Sequence, residues 1–83
     1  PEKTRLRLWP NPTTGRLRFT VPAGWQNARA VVYDASGRAA WQAAGEDSDS
    51  RALQLEGLAP GLYLLSLEKE GGERLRARFV LQP

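Results

Sequence analysis

Apolar and polar side chains alternate with a period of two along most of this chain, the pattern of strands with one buried and one wet face. Arg5-Leu6-Arg7-Leu8 alternates, and Arg16-Leu17-Arg18-Phe19-Thr20-Val21 does so again. Ala30-Val31-Val32-Tyr33 is a continuous apolar run ending at Asp34, which predicts a strand covered on both faces. Ala39 to Ala44 around Trp41 predicts a weaker strand, because alanine is a poor strand former. Leu53-Gln54-Leu55-Glu56 alternates, and Leu62 to Glu68 is the most apolar run of all. In Arg74 to Leu81, one face takes Leu75, Ala77, Phe79 and Leu81 while Arg74, Arg76 and Arg78 take the other. A helix is not expected: the best candidate, Trp41 to Ser50, is interrupted by Gly45 and ends in polar residues. Gly45 to Ser50 reads instead as an exposed loop.

Turn residues separate these runs at regular intervals. Pro10-Asn11-Pro12 restricts the backbone on both sides and predicts a stiff corner after the first strand, with Gly15 free to take positive φ just beyond it. Asp34-Ala35-Ser36-Gly37 has the type I signature of Asp at the first position and Gly at the fourth, and Arg38 is placed to pair with Asp34 across it. Leu58-Ala59-Pro60-Gly61 puts Pro before Gly, as a type II turn requires. Val21 to Gly24 and Gly71-Gly72 are further breaks. About seven short strands with such spacing predict an all-β antiparallel sandwich.

Composition narrows the chemistry. The 83 residues are expected to form a single domain, residues 1–83, with no linker or repeat inside it. There is no cysteine and no histidine, so nucleophile pairs built on either residue, disulfides and the usual N/S zinc or copper sites are excluded. Glu70-Gly71-Gly72-Glu73 is flanked by carboxylates that would repel phosphate, and Asp47-Ser48-Asp49 lacks the glycine and glutamate offsets of a calcium loop. No catalytic residues, cofactor or metal are therefore expected. No apolar run is long enough to span a bilayer, so no membrane insertion is expected. The chain has no methionine and opens without a signal-peptide pattern, and is expected to be a fragment cut from a longer protein. Net charge is +3, from ten arginines and two lysines against nine carboxylates, a balance that fits an ordinary solvated surface better than a dedicated site for an anionic partner such as nucleic acid, lipopolysaccharide or a membrane surface.

The order of the turns carries a resemblance. Pro10-Asn11-Pro12 with Gly15, Tyr33-Asp34-x-x-Gly37-Arg38, Leu58-x-x-Gly61-x-Tyr63 and a basic-apolar last strand are similar to the type A C-terminal sorting domain of the type IX secretion system, over about Leu8 to Leu81. The resemblance implies an immunoglobulin-like sandwich of seven strands, fused behind a secreted cargo and exported through periplasm and outer membrane. It implies a non-catalytic address label, recognised by translocon, shuttle and sortase components and then removed, with the cargo left at the cell surface or released. The oligomeric state is left open between a monomer and self-pairing through an exposed strand edge. One departure is that family members commonly end in a strand like Lys-Leu-Val-Lys, whereas here Arg78-Phe79-Val80-Leu81 puts leucine in place of the final lysine. Arg74 and Arg76 are the nearest charges able to compensate.

A physical form of that recognition is strand addition to the last strand, if it lies at a sheet edge with its N–H and C=O groups unpaired. Arg74, Arg76, Arg78 and Val80 would meet the partner while Phe79 and Leu81 anchor the strand in the core. Other readings stand beside this one. A carbohydrate-binding module would present some of Trp9, Trp25 and Trp41 to sugars, although tryptophan in so small a domain is more often part of the core. A nucleic-acid-binding domain would use Arg5, Arg7, Arg16 and Arg18 as a basic stripe, and such a site usually adds base-stacking aromatics on the same face; Phe19 falls on the opposite phase, and nucleic acid is not expected as a partner. A fibronectin-like spacer without a ligand has the same fold-level pattern.

Overall fold

Each alternating run becomes a strand. The computed structural model describes residues 5–83. Its strands are β1 (Arg7–Trp9), β2 (Arg16–Thr20), β3 (Arg29–Asp34), β4 (Ala39–Ala43), β5 (Ser50–Gln54), β6 (Gly61–Glu68) and β7 (Arg74–Leu81), with no helix among the described residues. They form two antiparallel sheets, β1-β2-β5 and β4-β3-β6-β7. The chain crosses between the sheets after β2, after β4 and after β5. β4 lies beside β3 rather than beside β5, so three strands face four in a variant of the immunoglobulin-like sandwich.

The inward phase of each strand fills the space between the sheets. Leu17, Phe19, Leu53 and Leu55 come from one side; Ala30, Val32, Leu65, Leu67, Phe79 and Leu81 come from the other. Burying each of the larger side chains contributes roughly 1.5–3 kcal/mol, and with no disulfide this packing holds the two layers together. Trp25 and Trp41 lie half-buried against that core. A bulge between Val32 and Tyr33 breaks the register of β3 with β4, the weakest of the predicted strands.

Three local expectations are corrected. The exposed loop stops short of Ser50, which opens β5, and Arg51 turns inward opposite Phe19. Its guanidinium sits 5.8 Å from the Phe19 ring centroid and donates to the carbonyls of Ala28 and Ala44, so loop carbonyls hold a charge at an inward position. Gly61 does take positive φ, but at +154° it opens β6 in a conformation far from the roughly +80° of a type II turn. Arg38 meets Asp34 through its backbone N–H, at 3.0 Å, and the described residues show no ion pair between them.

Candidate functional site

The outer face of the four-stranded sheet gathers most of the motif residues. In register across it, Tyr33 lies beside Leu64 and Arg78, Val31 beside Ser66 and Arg76, and Arg29 beside Glu68 and Arg74. A groove of about 580 Å³ runs over this face, with Leu62 and Leu64 along β6, the arginines of β7 on one side and the Asp34–Gly37 turn on the other.

Two residues on this outer face are nonetheless buried: Val31 is 3% exposed and Ser66 0%. Tyr33 explains this. Its hydroxyl donates to Glu68 Oε2 at 2.7 Å, so the side chain reaches past the Val31–Ser66 row to the next one. Ser66 Oγ donates to the same oxygen at 3.1 Å, and Arg74 Nε lies 3.7 Å from it. Burial alone pushes the Glu68 carboxyl up, but the hydrogen bonds from Tyr33 and Ser66 and the charges of Arg74 and Arg76 bring it below the usual range. The same hydrogen bond to Glu68, with burial, pushes the Tyr33 phenol up. Glu68 is thus an ionised pivot that holds one end of the arginine row, while Arg76 and Arg78 make no ion pair among the described residues.

The turn at the far side of the groove is self-contained. Gly37 N–H donates to the Asp34 carbonyl at 3.0 Å, with Gly37 at φ +89°. Asp34 Oδ1 accepts from Ser36 Oγ, from Ser36 N–H and from Arg38 N–H, and these bonds hold its carboxyl below the ordinary range. Near the start of β6, Tyr63 turns its ring inward, stacked on Phe79 with centroids 5.8 Å apart. Its hydroxyl donates to the Ala59 carbonyl at 2.5 Å, the tyrosine corner of immunoglobulin-like folds. Leu58 packs half-buried beneath this corner.

β7 is an edge strand, but only half of its edge is open. Asn11 Oδ1 accepts from Val80 N–H at 3.0 Å, and its amide donates to the Arg78 carbonyl at 3.3 Å. Thr13, itself buried, donates from its N–H to the Val80 carbonyl and accepts from Gln82 N–H. The segment beginning at Pro10 and Pro12, whose peptide bonds to Trp9 and Asn11 are both cis, therefore covers the strand's C-terminal end. By strand alternation, the backbone groups of Arg74 and Arg76 and the N–H of Arg78 point away from β6, with no partner among the described residues.

The expectation of a fully open last strand is corrected accordingly. Phe79 and Leu81 face the interior, Val80 has its backbone occupied while its side chain stays exposed, and only the stretch from Arg74 to Arg78 is accessible as an edge. Asp34, Gly37, Tyr63, Arg74, Arg76 and Arg78 meet at the groove. Gly15 lies apart from them, at φ +135°, with its carbonyl accepting from Leu55 N–H. Sequence reasoning overlooked Glu68 and Thr13. The pairing of Glu68 with Arg74 was readable from the Gly71-Gly72 hairpin between them; the role of Thr13, a contact distant in sequence, was not.

Fold and surface together define a small β-sandwich module, with a basic groove beside a partly open strand edge. The chain belongs to the secretion system C-terminal sorting domain family, whose model matches residues 7–82. It is thus a sorting signal for type IX secretion, of a non-catalytic kind, which implies an N-terminal cargo, contact with the secretion machinery and export across the outer membrane. No curated protein matches the chain.

Proposed function

We propose that the secretion machinery recognises this domain through the groove of the four-stranded sheet and the open half of β7. The observation that carries this reading is that the backbone groups of Arg74 and Arg76 and the N–H of Arg78, with no partner among the described residues, border a groove lined by Leu62, Leu64 and three arginines. An extended segment of a translocon or shuttle component would add to β7 by backbone pairing and lay apolar side chains on Leu62 and Leu64. Carboxylates on that segment would pair with Arg76 and Arg78, which make no ion pair among the described residues. A sortase component then removes the domain, leaving the cargo at the cell surface or released.

The test is export of a reporter carrying this domain at its C-terminus. With Arg74, Arg76 and Arg78 all changed to Gln, the purified domain is expected to keep a cooperative melt, since these side chains lie outside the core. Export is expected to fall by roughly tenfold or more, because losing even about 1.4 kcal/mol of binding is a factor of ten. Unchanged export from the folded variant would remove the groove from the recognition surface. Gel analysis of the exported wild-type reporter tests the removal step: a product shortened by this domain is expected, and a full-length one would refute cleavage.

A further inference from the structure

The opposite face of the sandwich carries a second basic surface with a different character. On the outer side of the three-stranded sheet, Arg7 lies beside Thr20 and Ser50, Trp9 beside Arg18 and Ala52, and Arg16 beside Gln54. These positions are out of phase with Leu17, Phe19 and Leu53, which fill the core. No strand residue on this face is acidic, and among the described residues neither Arg7, Arg16 nor Arg18 forms an ion pair. Trp9 is 45% exposed, whereas Trp25 and Trp41 pack on the core. A depression of about 250 Å³ lies between Trp9 and Arg18, lined also by Ser50 and Ala52.

We propose that this face is a binding site for an anionic polysaccharide, with Trp9 as the platform for a sugar ring and Arg7, Arg16 and Arg18 as ligands for its acidic groups. An exposed indole beside short side chains offers a flat apolar surface to the C–H face of a pyranose. Arginine, more than lysine, suits planar or multidentate pairing with carboxylate and sulfate. Along β2 the two guanidinium stems rise roughly 7 Å apart, and neighbouring strands add a spacing of about 5 Å, so charges recur along a chain laid across the sheet. Thr20, Ser50 and Gln54 supply neutral hydrogen-bonding groups for hydroxyls. Three arginines and no acidic strand residue on this face set the sign of the ligand. A single aromatic platform favours a saccharide over single-stranded nucleic acid, whose sites stack successive bases on several aromatics. The site lies on the other side of the sandwich from the β7 groove, so both surfaces are accessible together.

Calorimetric titration of the 83-residue domain tests this, with polygalacturonate and heparin as acidic probes, dextran as a neutral one and oligo-dT as a nucleic acid. Saturable binding of at least one acidic polysaccharide is expected, weakening as salt rises, with none for dextran. Trp9→Ala and the double change Arg16→Gln with Arg18→Gln are each expected to weaken binding at least tenfold while the domain keeps a cooperative melt, since Arg16 and Arg18 are exposed and Trp9 lies outside the core. Arg74→Gln with Arg76→Gln is expected to leave binding intact. The proposal is overturned if neither acidic polysaccharide binds, if dextran binds as well, if oligo-dT binds more tightly, or if Trp9→Ala binds like the wild type.

Discussion

A methyl group built on Gly45 would lie 1.9 Å from the carbonyl oxygen of Asn27 and 2.3 Å from its carbon. Asn27 is itself held at φ +68°, and its N–H donates to the Glu46 carbonyl at 3.1 Å, so neither segment can step aside freely. At Gly37 the constraint is different, because space is open there and only φ, at +89°, resists a side chain. Gly45→Ala is therefore expected to cost more than the roughly 1–3 kcal/mol of ordinary overpacking, and Gly37→Ala only about 1–2 kcal/mol. Urea midpoints with unchanged slopes would establish that order; equal losses would contradict it. The two glycines look alike in the sequence. Gly37 follows an Asp at turn spacing and could be assigned, while Gly45 depends on a backbone contact made only once the loop folds over Asn27.

Among the elements, β7 was legible in phase but not in its pairing. Alternation alone assigned Phe79 to the core and Arg76 to solvent, as found. That Asn11 would cap the far end of the strand from 69 residues away is a tertiary fact. Hydrogen exchange separates the two halves. The amides of Arg74, Arg76 and Arg78 are expected to exchange quickly despite their strand geometry, and that of Val80 slowly. Asn11→Ala is expected to speed exchange at Val80 by roughly fivefold or more, the factor for about 1 kcal/mol of lost hydrogen bond, with less effect at Gln82, which Thr13 holds. Protected amides at Arg74 and Arg76 would mean that the edge is already covered.

At the scale of the whole molecule, pH dependence reports on the two hydrogen-bonded carboxylates and on Tyr33. Asp34 and Glu68 are both held below their ordinary values, so their contributions are complete above the unfolded pKa values, about 4, and are lost as pH falls through the folded ones. Tyr33 is pushed above 10.0, so its contribution is present below that value and is lost as pH rises through its folded pKa. The melting temperature is expected to be flat between about pH 5 and 9 and to fall on both sides. Because Tyr33 and Glu68 share one hydrogen bond, Glu68→Gln is expected to make both arms shallower. A change confined to the acid arm would show that the tyrosine is not coupled to it.

The strands, their inward and outward faces and the order of the turns followed from the sequence, because alternation and turn chemistry are local and act over a few residues. The family resemblance rested on those same turns. Tertiary structure alone decided which strands became edges, that Arg51 would turn inward to loop carbonyls, and that Trp9 would stand among arginines while two other tryptophans joined the core. Each of these depends on which segments meet after the chain has crossed between sheets, and a two-residue period carries no information about a neighbour 60 residues away.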